Sequence, residues 1–563
     1  MNKIFTVMIT GIIFCTGCHK KGTGNQVNNG VTTPNTQHVS VLTQHNDNTR
    51  AGLNRLETAL TTANVNTRQF GKLFTLAVDD QVFAQPLVVG NVAIASGNHN
   101  VVYVATVNNS VYAYDGDDGR LYWNKNFTFS GMRPANASDM SSSWCSPYTD
   151  INNNIGIIGT PVIDSAAETI YFVARSTDGT NFVQYLHAVN IVTGDEQTGS
   201  PVAISASVSG SGEGNVNNVV SFDPRRNNQR QGLTLVNGVV YITYSSHCDW
   251  NPYHGWILGY NSSTLQQVTV YTDTPDGESG SFWQSGQGMA ADAQGNLYEV
   301  SANGTVGQGN LYIASANGTV DTLPNPDPTD LTDRGESALK LTPSGSTLQV
   351  VSYFTPTNYV NLNANDLDYG VMGSFLIPNS NYFFTGAKDG NIYLLNKDNM
   401  GGYSPTSNQV QQNIPLNVSL HCQPSYYLGS TNEFVYVWSE NDQLRALSFN
   451  RGTYTFATNE IVSTVNGPVG GCGADLSVSS NGSVDGTGIL WASYAPFGDA
   501  GSVVTPGELI AFDANDISKE LWNSNQNAND AVGNFAKFSS PTVADGHVYL
   551  ATFSNQVVVY GLK

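Results

Sequence analysis

The densest chemistry in the chain lies in one short stretch, Ser246-His247-Cys248-Asp249-Trp250-Asn251-Pro252-Tyr253-His254. His247, Asp249 and His254 supply two imidazoles and a carboxylate, donors that suit Zn²⁺ or a similar ion. Their spacing matches no standard zinc pattern. The competing reading is a hydrogen-bonded loop beneath aromatic lids. A second cluster stands near the N-terminus, where Cys15-Thr16-Gly17-Cys18-His19 reads as C-x-x-C-H, the c-type haem attachment pattern. It follows Met1-Asn2-Lys3 and an apolar run from Ile4 to Phe14. That order of charge, apolar run and small residues is the order of a secretory signal. The run is too short to cross a bilayer as a helix. Cleavage before Cys18 would destroy the haem pattern, and the chain holds no other copy of it.

Gly17-Cys18 resembles the end of a bacterial lipobox, although Cys15 stands where a Leu is usual. The resemblance implies that residues 1–17 are removed and that Cys18 is lipidated. It implies an address in a bacterial cell envelope, periplasmic or at the outer membrane, with contact to the membrane through the lipid alone. Residues 18–40 are polar and rich in Gly, Asn and Thr, which reads as a flexible tether.

These residues need a scaffold. Only 12% of the 563 residues are charged, about half the usual share. Lys+Arg number 23 against 44 Asp+Glu, a formal net charge of -21. That balance excludes a nucleic-acid binder, which needs a basic footprint, and a polybasic membrane-surface protein. A hydrophobic content of 40% supports a real core. The 56 Gly and 27 Tyr suit short strands joined by tight turns.

One phrase recurs along the chain: an apolar strand, a turn, a second strand ending in an Ala-x-Asp-like step, a polar turn, then Trp. Val101–Thr106 leads to Ser110-Val111-Tyr112-Ala113-Tyr114-Asp115 and on to Trp123. Glu508–Asp513 leads likewise to Trp522, and weaker copies stand at Tyr185–Asn190 and Gly390–Asn396. Each alternates apolar and polar residues, the period of a half-buried strand. Eight units follow, at about 82–127, 155–207, 222–276, 280–358, 370–416, 421–466, 471–527 and 533–563. The spacing fits propeller blades. The expected fold is all-β, a single eight-bladed β-propeller over residues 41–563. The last unit is one strand short, and Phe70–Ala77 can supply that strand and close the ring, which removes open strand edges. A tandem copy, Gln294–Val306 repeated as Gln308–Val320, reads as a duplication in a surface loop.

In such a ring the innermost strands line a channel, and their starting residues surround one mouth. That rule gives Gln85, Thr160, Arg230, Gln231, Trp283, Gln284, Gln287, His421, Gln423, Asp475 and Lys537 as candidate ligand-binding residues. The alternative is that these amides and hydroxyls satisfy one another around a wet channel. The longest loops, about 128–154, 208–229, 246–254 and 301–335, fall on the same face. With Cys18 lipidated, Cys145, Cys248, Cys422 and Cys472 remain, an even number in an oxidising compartment. Cys145–Cys248 and Cys422–Cys472 are the expected disulfides, because each pair shares a face or an equivalent strand start. Four cysteines allow three connectivities.

The phrase Ala113–Trp123 resembles the tryptophan-docking repeat of pyrroloquinoline-quinone (PQQ)-type propellers. The lead-in Asn46-Asp47-Asn48-Thr49-Arg50-Ala51-Gly52-Leu53-Asn54 is similar to that of bacterial PQQ-binding-like β-propeller repeat proteins, as are Gly159–Asp164 and His254–Tyr260. The resemblance covers roughly residues 41–563. It implies the quinoprotein alcohol dehydrogenase-like fold. Members of that superfamily with enzyme activity hold PQQ with Ca²⁺ from Glu, Asn and Asp, use an Asp base, and stack the quinone on Trp. Here Trp283 offers a stacking floor, Arg230 or Lys537 a partner for quinone carboxylates, and Asp475 or Asp249 a base, but no motif transfers a catalytic residue. Three functions are expected to compete. The first is a monomeric binding or scaffold module for an envelope protein, a glycan or a small polar ligand. The second is a PQQ- and calcium-dependent dehydrogenase of alcohols or aldose sugars. The third is a polysaccharide-binding or -cleaving propeller that stacks sugars on Trp144, Tyr148, Trp250 and Tyr253.

Overall fold

A computed structural model describes residues 38–142, 146–304, 332–458, 460–468 and 470–563. The eight sequence units become eight antiparallel blades arranged in a ring. Blade one shows the pattern: Leu87–Ile94, Gly97–Ala105, Ser110–Asp115 and Leu121–Asn126 run from the channel outwards. The inner strands of blades two to eight are Val162–Asp164, Thr234–Val236, Ala290–Ala291, Phe375–Leu376, Ser425–Leu428, Asp475–Ser479 and Thr542–Ala544. Phe70–Ala77 is the outer strand of blade eight, paired antiparallel with Gln556–Leu562. N- and C-terminal segments thus close the ring in one sheet.

Aromatic docking ties blades together. Trp123 Nε1 at the edge of blade one donates to Ile191 O of blade two at 3.0 Å. Gly194 allows this contact, for its φ is +73° and a Cβ there would stand 2.7 Å from the Trp123 ring. Between blades seven and eight, Trp522 meets Phe70 edge to face, with centroids 5.0 Å apart. The core accordingly divides into apolar clusters between neighbouring sheets rather than one central mass.

The first copy of the tandem repeat is no surface loop. Leu297–Gly304 forms the buried second strand of blade four. The second copy lies outside the described residues.

Residues 39–57 do not behave as part of a blade. They make a circuit of the channel and bond every inner strand in turn. Val39 N donates to Asp545 Oδ1 of blade eight, and Val41 exchanges backbone bonds with Val88 of blade one. Leu42 O accepts from Ile163 N of blade two, and Thr43 Oγ1 donates to Leu233 O beside the inner strand of blade three. Asn48 O, Thr49 O and Ala51 O then accept from Ala291 N, Leu376 N and Tyr426 N of blades four, five and six. Leu53–Asn54 pairs with Val478–Ser479 of blade seven, and Asn54 Nδ2 returns to Val543 O of blade eight. Arg50 anchors this arm. Its fully buried guanidinium donates to Met289 O, Thr43 Oγ1, Gln44 O, Leu233 O and Thr234 Oγ1.

Candidate functional site

A funnel opens at the mouth where the inner strands begin, as the propeller rule predicts. Most blades supply a residue just ahead of an inner strand: Phe83, Arg230, Trp283, Val371, His421, Cys472 and Phe538. The loops between second and third strands add Asp249, Lys388 and Gly501, and the end of the second strand of blade four adds Asn303. The funnel encloses about 1010 Å³, open solvent at its mouth included.

One wall is cationic and aromatic. The Arg230 guanidinium lies 5.5 Å from the Phe83 ring centre and 5.7 Å from that of Phe538. It donates to the carbonyls of Ile158, Lys537 and Phe538 at 3.0–3.3 Å. Lys537 Nζ donates to Gly501 O. Among the described residues neither cation has a carboxylate within ion-pair distance, and both are buried, which pulls Arg230 down to about 10 and lowers Lys537. Trp283, His421 and Phe538 pack as a triad with centroids 5.0–5.4 Å apart. Burial drives His421 down to about 3, so its imidazole is neutral. The 3.9 Å approach of its Nδ1 to Glu440 is therefore no ion pair.

Another part of the lining is acidic. Lys388 Nζ lies 3.2 Å from Asp366 Oδ2 and also meets Asp368. Asn303 Nδ2 donates to Asp366 Oδ1 at 3.3 Å. Asn303 Oδ1 and Asp368 Oδ1 are buried acceptors with no partner among the described residues. Burial, reinforced by Asp366 and Asp249, holds Asp368 above the ordinary carboxylate range against the pull of Lys388. None of Asn303, Asp366, Asp368 and Lys388 was on the sequence-derived list. Lys388 and Asn303 sit in or beside the connection between second and third strands, so extending that rule to every blade would have found them.

Beneath the funnel lies a girdle of amides, and seven predicted residues belong to it instead of the lining. Gln85 Nε2 donates to Thr542 Oγ1 at 2.9 Å, and Gln85 N donates to Thr160 Oγ1 at 3.0 Å. Gln231 Nε2 donates to Glu299 Oε1 at 3.1 Å, and Gln284 Nε2 meets the same oxygen. Gln287 Nε2 donates to Ser374 O, and Gln423 Nε2 to Ser285 O, both at 2.6 Å. Asp475 Oδ2 accepts from Ser539 N at 3.0 Å. All seven are buried. Most of their polar groups are paired with one another, the arm or nearby backbone, because a buried amide left unpaired is costly; the exception is Gln287 Oε1, which has no partner among the described residues. Of the predicted mouth residues, Arg230, Trp283, His421 and Lys537 line the funnel.

The zinc reading fails on geometry. His247 is committed to Tyr148 OH and Arg175, and His254 to Thr274 Oγ1 and Glu213 O at 3.0 and 2.9 Å. Asp249 accepts from Tyr253 OH at 2.8 Å. Among the described residues no three His, Cys, Asp or Glu side chains converge as metal ligands. The Cys422–Cys472 disulfide is also overturned: both are buried free thiols. Equivalent positions in neighbouring blades share a layer without being bonded to each other. Cys248 is disulfide-bonded, while its expected partner Cys145 lies outside the described residues, as do Cys18 and Trp144. The other expected sugar platforms are not open faces. Tyr148 and Tyr253 are buried, and Trp250 carries Arg225 and Arg226 at 4.8 and 5.2 Å.

No family model and no curated protein matches the chain. Solved structures do. The quinohemoprotein alcohol dehydrogenase ADHIIG from Pseudomonas putida HK5 superposes with a TM-score of 0.57 at 14% identity, over 93% of this chain and 80% of that one. The quinohemoprotein alcohol dehydrogenase from Comamonas testosteroni gives 0.57 at 13% identity, with the same coverage. A europium-containing methanol dehydrogenase gives 0.50 at 11% identity, over 93% of this chain and 98% of that one. The chain therefore shares the eight-bladed quinoprotein alcohol dehydrogenase-like fold, and at these identities the likeness extends to the fold alone.

Proposed function

We propose that this chain is a binding propeller, tethered by lipid at Cys18 to a bacterial cell envelope, whose loop-rich face takes a small polar ligand. The funnel carries this reading. Its lining holds two buried cations, Arg230 and Lys537, with no carboxylate in ion-pair distance among the described residues, together with the carboxylates of Asp366 and Asp368. A concave site with few, convergent polar groups and an aromatic side is the usual form of a small-molecule pocket. Envelope proteins that dock on the surrounding loops are the alternative occupants of the same face. Calorimetric titration with a panel of polar small molecules and soluble glycans, alongside capture from envelope extract, tests the reading. Saturable binding lost in an Arg230→Gln, Lys537→Gln double variant supports it. Saturable binding that this variant leaves intact moves the site elsewhere. Radiolabelled palmitate incorporation that requires Cys18 tests the anchor.

The fold likeness favours a second reading, a PQQ- and calcium-dependent dehydrogenase of alcohols or aldose sugars. The quinone would supply two-electron oxidation when bound. Its ring and acid groups fit Trp283, Arg230 and Lys537. Calcium fits less well: Asn303 Oδ1 and Asp368 Oδ1 are oxygens of the kind it takes, but Lys388 already holds Asp366 and Asp368. Adding PQQ with Ca²⁺ and following quinone absorbance and dye reduction tests this reading. Silence across alcohols and aldose sugars would sink it.

A further inference from the structure

Behind the cationic wall, three side chains stand in a row: Arg175, His247 and Tyr148. Arg175 is buried, 3% exposed, and no carboxylate lies within ion-pair distance of it among the described residues. Its Nη2 donates to Asn227 O, and its Nη1 meets His247 Nε2. A guanidinium has N–H donors and no acceptor, so His247 Nε2 must accept. Burial and the neighbouring guanidinium keep the imidazole far below its ordinary range, hence neutral. A neutral ring that accepts at Nε2 carries its proton on Nδ1. That nitrogen is 2.8 Å from the Tyr148 hydroxyl, so it donates and the phenol oxygen accepts. The phenol's own proton is left over. Tyr148 lines the funnel, and its hydroxyl has no other hydrogen-bond partner among the described residues. The disulfide at Cys248 holds the loop immediately beside His247.

We infer that Tyr148 is a fixed hydrogen-bond donor to the ligand of the funnel, positioned by His247 and Arg175. The inference rests on the binding reading above. It narrows the ligand's chemistry at this point to an acceptor atom, such as a carbonyl, carboxylate or phosphate oxygen. A ligand that offers an N–H or O–H here faces a donor that cannot turn into an acceptor, because the oxygen's accepting role is already taken by His247. The Arg175 charge strengthens the effect, polarising the chain of bonds toward the funnel. The Arg230 charge acts on the same phenol.

Two measurements test this on the full-length protein. ¹⁵N-histidine NMR, with His247 assigned by a His247→Gln variant, reads the tautomer. The expected result is a neutral ring protonated at Nδ1, and a ring protonated at Nε2 overturns the relay. Calorimetric titration with inorganic phosphate reads the donor. Tyr148→Phe keeps the ring and its packing, and is expected to weaken phosphate binding about tenfold, with a lower melting temperature because the buried His247 Nδ1–H loses its acceptor. Equal binding by wild type and Tyr148→Phe overturns the donor role while leaving the binding reading standing. Phosphate bound by neither protein overturns Tyr148 as a donor to a phosphate oxygen, and the tautomer then reports on the relay alone.

Discussion

Gln44 Nε2 donates to Gln423 Oε1 at 3.2 Å, a bond between residues 379 positions apart. It joins the circling arm to the amide girdle directly beneath the funnel. Gln44 Oε1 meanwhile accepts from Gly288 N at 3.0 Å, so one side chain bridges blades four and six. The floor of the site is therefore built by a segment that belongs to no blade.

Arg50 is the strongest point of that floor. An Arg50→Met variant keeps much of the volume but removes five hydrogen bonds at once; Gln44 O loses its donor, while Leu233 O and Met289 O keep only Thr43 and Thr234. The expected loss is roughly 3 kcal/mol of stability or more, measured by urea unfolding. A loss under roughly 1 kcal/mol would show that the arm is not an integral part of the fold.

Cys422 and Cys472 should be silent toward thiol reagents in the native protein. Both are buried, and burial alone raises both thiols out of the reactive range. Alkylation in denaturant without reductant should label both, and peptide mass mapping checks it. A linked Cys422–Cys472 peptide would refute the free-thiol assignment.

Stability should fall as pH rises from about 6.5 to about 8. Burial raises Asp273 and Asp475 to about 7, and Glu299 and Asp333 to about 8. The folded state then holds more protons than the unfolded chain between about pH 4 and these values, so stability declines through that window. The buried imidazoles of His45, His247, His254 and His421 act with the opposite sign below about 6.5, because burial lowers them. Their effect fades over about one further pH unit as the unfolded imidazoles lose their protons, and the acids then dominate. Glu299→Gln should flatten the decline by on the order of 1 kcal/mol, read from urea unfolding at successive pH values. A profile that is level from pH 6.5 to pH 8.5 would contradict it.

Trp283 is half-buried at the funnel wall between His421 and Phe538. Trp283→Leu should weaken any ligand of the funnel about tenfold, the effect of losing an aromatic anchor. It should also remove the ligand-dependent part of the tryptophan fluorescence. A fluorescence response unchanged in the variant would place the ligand elsewhere.

The blades were readable because each repeats a strand-period pattern ending in a shared phrase, and Trp123 performs in the structure the docking that phrase suggests. Closure by Phe70–Ala77 followed from counting strands. The arm's circuit was not readable. It touches each blade through one or two residues, so it leaves no periodicity, and its hydrogen bonds are mostly made by backbone atoms that carry no sequence signal. The channel-mouth list failed by depth: a one-residue step along an inner strand separates Arg230, which lines the funnel, from Gln231, which is buried against Glu299. Asp366 and Asp368 reach Lys388 only once blade five is folded, and no spacing marks them in advance.

The arm also sets an order of events during synthesis. Residues 39–57 leave the ribosome before any blade, yet their partners extend to Val543 and Asp545 of blade eight. Phe70–Ala77 likewise waits for Gln556–Leu562. The arm therefore stays unsatisfied until blade eight has been made, and the native ring forms as a late event that a chain cut short of blade eight cannot reach.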